Sequence, residues 1–158
     1  MNHWLMKSEP SEVSVDDALA APDATVAWTG VRNYQARNFM RDAMRVGDGV
    51  LFYHSSCAEP GIVGIARVAS TPYPDPTQFD RKSHYHDAAS KKEEPRWLLV
   101  DVKFKRKFGR PVLLETLRAH ESTFKGLRIL ERGSRLSVTP VTAPHFKAIL
   151  KLAGEKSP

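Results

Sequence analysis

The chain has 158 residues, 41% hydrophobic and 27% charged, with a formal net charge of +6. That length suits one domain with a real core, and no apolar run approaches the roughly 20 residues of a membrane-spanning helix. A single cysteine, Cys57, excludes an internal disulfide.

The N-terminus lacks the basic-then-apolar pattern of a signal peptide. Cys57 has no activating base beside it and reads as an inert thiol in a reducing compartment, expected to be the cytoplasm. The charge is uneven. Over residues 1–80, six Lys and Arg stand against ten Asp and Glu, whereas over 81–158 eighteen stand against eight. Such a basic half suits a polyanion, nucleic acid being the commonest; a solvated Lys/Arg surface is the plainer reading.

In chain order, His3 to Lys7 reads as a short strand stopped by Ser-Glu-Pro. Ser14 and Asp17 have capping-box spacing and predict a helix through about Leu19. Ala24 to Trp28 is a second strand, Gly30 permits a tight turn, and Asn33 to Met44 is the best helical stretch. On that helix Arg37, Arg41 and Arg45 recur at i, i+4 and i+8 as a stripe expected to be exposed at Arg41 and Arg45. Val50 to Ser55 alternates, setting Val50, Phe52 and His54 on one face and Leu51, Tyr53 and Ser55 on the other. Gly61 to Ser70 is a further strand. Residues 71–95 hold four prolines and form a long loop. Arg96 to Phe108 alternates with Leu98, Val100, Val102 and Phe104 inward; Gly109 to Pro111 then turns into a short helix, Leu113 to Ala119. Leu136 to Val138 is a final strand and Thr142 to Leu152 a closing helix. Strands and helices in this irregular order predict one α+β domain around a curved or barrelled sheet.

The densest chemistry lies in WTGVRNYQARNF, residues 28–39. Asn33 has two readings there, a helix N-cap and a donor that reads a base edge. Arg32 likewise either meets phosphate or closes an ion pair with Asp48 or Glu9. His54, His84, His86 and Asp87 invite a metal reading, but no third ligand at matching spacing follows HYHD, and no metal or other cofactor is expected.

WLMKSEP at 4–10, WTGVRNYQARN at 28–38, LFYHS at 51–55 and RLSVTP at 135–140 occur with GIVGIA at 61–66 and PRW at 95–97. Together they resemble the EVE-domain family of the PUA-like superfamily over about residues 4–152. The resemblance implies a pseudo-barrel of mainly antiparallel strands with short helices at its rim. It also implies a non-catalytic module that recognises a modified nucleobase in DNA or RNA, with a small hydrolase acting on a modified nucleoside or nucleic acid as the alternative.

A reader must take its base out of the stack, hold it on aromatic faces and hydrogen-bond its edge. Within the matched motifs, Trp28 and Tyr53 are the expected aromatic wall, with Trp97 a further candidate that also reads as core. Asn33, Ser55 and the backbone around His54 are the expected polar edge, with Lys7 and Ser8 as further donors and Ser137 in the last motif. Arg32 and Arg135 are expected to orient phosphate or close the pocket, and Arg37, Arg41 and Arg45 to touch phosphate. For the hydrolase, Lys7 and Glu9 are the best acid–base pair, since i and i+2 share a strand face. The expected assembly is a monomer on nucleic acid, away from membranes.

Overall fold

The structure, a computed structural model, describes residues 1–155. In chain order its elements are β1 (His3–Ser8), α1 (Val15–Ala20), β2 (Thr25–Ala27), α2 (Tyr34–Asn38), β3 (Gly49–His54), β4 (Gly61–Val68), β5 (Tyr73–Pro74), β6 (Leu98–Leu99), β7 (Asp101–Leu113), α3 (Leu114–Ala119), β8 (Val138–Val141) and α4 (Ala143–Leu152). Six strands form one curled sheet in the order β2-β7-β4-β3-β1-β8, and β5 and β6 pair separately. Neighbours in the large sheet are antiparallel except β1 and β3, which run parallel with His3 opposite Gly49 and Ser8 opposite His54. Parallel neighbours need a long crossover. Here it carries α1, β2 and α2, and with them the whole 28–39 stretch.

Both faces of the sheet are buried. On one, Trp4, Met6, Trp28, Val50, Phe52 and Phe104 pack together beneath α1 and α2. On the other, Leu5, Leu51, Tyr53 and Ile62 pack against α3 and α4 through Leu117, Phe146 and Ile149. The period of two in β1 and β3 divides their side chains between these layers.

Four local features differ from the sequence reading. The helix expected over 33–44 is α-helical only to Asn38. Phe39–Ala43 is a π-type turn closed by the Met44 N–H on the Phe39 carbonyl, which takes the three arginines out of a single line. The strand expected from Arg96 breaks at Val100: Leu98 and Leu99 pair with β5, so Leu99 is fully buried and Leu98 only partly. The turn expected at Gly109–Pro111 lies inside β7 as a bulge, because β4 pairs Ile62 with Val112 and then Gly64 with Lys107. Pro111, which lacks an N–H, falls in that unpaired excursion. Finally, β8 continues past Pro140, which is tolerated because β8 is an edge strand.

Candidate nucleic-acid interface

Because β1 and β3 are parallel, their C-terminal ends meet at one end of the sheet. The Ser55 N–H bonds the Ser8 carbonyl at 2.9 Å, and the Lys7 N–H bonds the Ser137 carbonyl at 2.8 Å just before β8. Three strand ends therefore bring Lys7, Ser8, Ser55 and Ser137 to a common rim.

Trp28 faces this rim from the end of β2. Its N–H is held by the Val100 carbonyl at 3.0 Å, and its ring meets Phe52 edge-on at 5.1 Å. The residue is 6% exposed, so only a small part of this platform is open. Gly30 then turns the chain at φ +88°. A Cβ at Gly30 would stand 2.6 Å from the Tyr85 ring, so glycine is what allows that ring to lie on the backbone. The Tyr85 hydroxyl donates to Glu12 at 2.5 Å. Between the serine rim, Trp28 and Tyr85 lies a cleft of about 400 Å³, with Val26, Ala27 and Val31 as its apolar side and Glu9 and Arg135 at its margin.

The loop carrying Tyr85 is pinned by one buried carboxylate. Asp75 Oδ2 accepts from the Gly30 N–H at 2.8 Å and Arg32 Nη1 at 3.0 Å, while Oδ1 accepts from the Thr77 N–H and hydroxyl at 2.8 and 2.6 Å. Burial pushes the Asp75 pKa upward, but the bonds from Thr77, Gly30 and Arg32 outweigh it and leave it below the ordinary carboxylate value. Arg32 also donates twice to the Tyr85 carbonyl, at 3.1 and 2.8 Å. At the rim, burial lowers the Lys7 pKa. Burial raises that of Tyr85, with the Glu12 hydrogen bond adding to it.

Of the residues singled out from sequence, Trp28, Lys7, Ser8, Ser55, Arg135 and Ser137 line this cleft. The Ser8 hydroxyl already donates to the Val13 carbonyl at 2.7 Å. The side chains of Lys7, Ser55, Arg135 and Ser137 have no hydrogen-bond or ion-pair partner among the described residues.

The others are placed elsewhere. Tyr53 lies on the opposite face of the sheet from Trp28, as the alternation with Phe52 requires, so the two rings form no common wall. Asn33 is the α2 N-cap, its Oδ1 accepting from the Gln35 and Ala36 N–H groups at 2.8 and 3.1 Å. Arg32 pairs with Asp75, rather than Asp48 or Glu9. Asp48 instead takes the Trp4 indole N–H at 2.9 Å. His54 Nε2 accepts the first N–H of α1 from Val15 at 3.1 Å, and burial lowers its pKa. Trp97 stacks on Tyr34 at 4.8 Å and donates its indole N–H to Asp87 at 2.8 Å. Arg41 and Arg45 are exposed, as the stripe required. Arg41 pairs with the adjacent Asp42 at 2.8 Å, and Arg37 donates to Asn38 and the Arg96 carbonyl.

Tyr85 and Glu12 were not visible as site residues in the sequence. The signal was an aromatic residue in a loop otherwise poor in apolar side chains, but HYHD drew attention to its histidines. His84 packs edge-on against Tyr85 at 4.5 Å, and among the described residues no group of three or more His, Cys, Asp or Glu could hold a metal ion.

A curled mixed sheet with short helices at its rim and a polar cleft at the open strand ends defines the class: the chain belongs to the EVE-domain family, whose model matches residues 2–152. It is 43% identical to thymocyte nuclear protein 1 of Gallus gallus, across 98% of this chain and 69% of that protein, and 42% identical to the Homo sapiens protein across 99% and 76%. Among solved structures, human THYN1 in complex with DNA containing 5-methylcytosine matches with a TM-score of 0.91 at 41% identity, both chains covered in full. A Pseudomonas putida protein matches at 0.90 and 47% identity, over 96% of this chain and 99% of that one. The Gallus gallus and Homo sapiens relatives are named as nuclear proteins, which corrects the cytoplasmic expectation. Nucleus and cytosol are both reducing, so a lone cysteine does not separate them.

Proposed function

We propose that this protein is a non-catalytic reader, acting as a monomer, that accepts a modified base flipped out of DNA into the cleft between Trp28 and Tyr85. The observation that carries this reading is the cleft itself: aromatic surface on two sides and a rim of unpaired donors. Its volume of about 400 Å³ lies within the roughly 300–1,000 Å³ of small-ligand sites. The structure of human THYN1 with 5-methylcytosine-containing DNA supports the same reading.

Flipping costs a few kcal/mol, and stacking on an aromatic side chain returns roughly 1–3 kcal/mol per base. Donors at Lys7, Ser55 and Ser137 suit the ring nitrogen and carbonyl of a cytosine edge, and the Glu9 carboxylate suits its exocyclic amine. Val26 and Val31 offer a 5-methyl group an apolar place. Arg41 and Arg45 serve the flanking backbone as sequence-independent phosphate contacts.

The hydrolase alternative is not favoured. The Lys7–Glu9 pair needed both residues on one strand face, but β1 ends at Ser8 and Glu9 opens a turn whose carbonyl accepts from Val13.

Fluorescence anisotropy with duplexes that differ only at one cytosine C5 position tests the reading, with RNA counterparts alongside. The methylated DNA duplex is expected to bind tightest, and Tyr85→Ala to weaken it at least several-fold. Equal affinity for all ligands, unchanged by Tyr85→Ala, refutes it.

A further inference from the structure

The displaced Tyr53 marks a second cleft. It lies on the α3 side of the strand ends, has a volume of about 390 Å³, and shares Lys7 and Ser55 with the first. Lys7 and Tyr53 are register partners on the parallel strands β1 and β3. Their side chains therefore leave the sheet on the same face, about 4.8 Å apart at the backbone.

Tyr53 is 2% exposed, with its ring packed among Leu5, Leu51 and Ile62. Its hydroxyl has no hydrogen-bond partner among the described residues, and no buried side-chain polar atom among them is left unpartnered. The oxygen is therefore the part of this residue that opens into the cleft. Burial pushes the phenol up to about 12, against a smaller opposing effect of the nearby Arg118 charge, so the hydroxyl stays protonated and able to donate. Arg118 is exposed at the end of α3, next to the fully buried Leu117 that anchors the helix. Arg132 lines the far side, beside Glu131. Neither Lys7, Arg118 nor Arg132 has an ion-pair partner among the described residues.

An unpartnered hydroxyl opening into the cleft, a half-buried ammonium and two free guanidiniums on one concavity suit a tetrahedral oxyanion. We infer that Tyr53, Lys7 and Arg118 form a phosphate subsite that holds the backbone phosphate next to the base in the Trp28–Tyr85 cleft. The inference rests on the reading of that cleft as a base site. Lys7 is the link, since it lines both spaces, and the subsite fixes register on the strand while the first cleft reads the base.

The test uses the full chain and three probes: 5-methyl-2′-deoxycytidine, its 3′- and 5′-monophosphates, and inorganic phosphate. Calorimetry of the first two is expected to show one monophosphate binding about tenfold tighter than the nucleoside, as a charge-assisted hydrogen bond supplies. Tyr53→Phe, which keeps the ring in the core, and Arg118→Ala, which alters an exposed residue, should each erase most of that gain and leave the nucleoside unchanged. Inorganic phosphate followed by NMR should move the Tyr53 ring signals in the wild type and less in Arg118→Ala. This arm does not depend on the base. Phosphate shifts without nucleoside binding uphold the anion subsite and remove the base reading. Nucleoside binding with no gain from either phosphate, and no shift at Tyr53, overturns the subsite and leaves the base reading standing. A response to free phosphate without any gain in the monophosphates overturns the backbone role.

Discussion

Gly30→Ala probes whether the backbone turn and the Tyr85 ring form one device. Two costs follow from the geometry. A φ of +88° carries a left-handed penalty of about 1–2 kcal/mol for a residue with a Cβ. The new Cβ would also stand 2.6 Å from the Tyr85 ring, far inside the roughly 3.5–4.0 Å of carbon contact, and overpacking of this kind costs about 1–3 kcal/mol. Only the second cost disappears when the ring is removed. Urea denaturation of the wild type, Gly30→Ala, Tyr85→Ala and the double variant should therefore give a coupling of about 1–3 kcal/mol, with Gly30→Ala milder in the Tyr85→Ala background. In anisotropy, Gly30→Ala should weaken binding of the methylated duplex about as much as Tyr85→Ala, because the displaced ring no longer faces Trp28. Additivity within about 0.5 kcal/mol refutes the packing argument, and full base affinity in Gly30→Ala refutes the role given to Tyr85.

Asn33→Ala removes the α2 cap, so it should cost about 1 kcal/mol in chemical denaturation and leave the preference for a modified base unchanged. His3 and His54 have pKa values lowered chiefly by burial, so their folded values lie below the unfolded value of about 6.5. The unfolded chain then binds more protons in that window: the stability is complete above pH 6.5 and is lost as pH falls through the folded values. His54→Gln should flatten part of this slope in melts taken between pH 7 and 5. Nucleic-acid affinity should fall steeply with added salt, and Arg45→Ala should lower it equally for methylated and unmethylated duplexes while reducing the salt slope by about one. A flat salt response would leave the basic surface as a solubility feature.

The sheet was legible in the sequence because β1, β3 and β4 are short apolar runs bounded by turn residues and the start of β7 alternates, and the α1 capping box was legible because Ser14 and Asp17 stand three apart and do bond reciprocally. The cleft was half legible. Trp28, Lys7, Ser55, Arg135 and Ser137 sit in motifs that the fold brings to one rim. Tyr53 was misplaced although the alternation already set it opposite Phe52; Trp28 packs on Phe52, and one ring cannot face both sides of a sheet. Asn33 had two local readings, and the local hydrogen bond prevailed. Tyr85 could not be read out, because its position depends on Asp75 reaching Gly30 and Arg32 across more than 40 residues of chain, and no periodicity encodes such a contact.

The place of β1 has a consequence for synthesis. Of the six strands of the large sheet it is the first to leave the ribosome, yet it lies between β3 and β8, and β8 is the last of those six to be made. Until residues 138–141 emerge, one side of β1 is a bare edge beside the fully buried Leu5 and Met6, a template for pairing with another nascent chain. Ser137 and Arg135, which complete the rim of the cleft, arrive in that same final segment. Closing the sheet and completing the cleft are thus one event, so a chain stalled short of β8 is at once aggregation-prone and without the site proposed for the base.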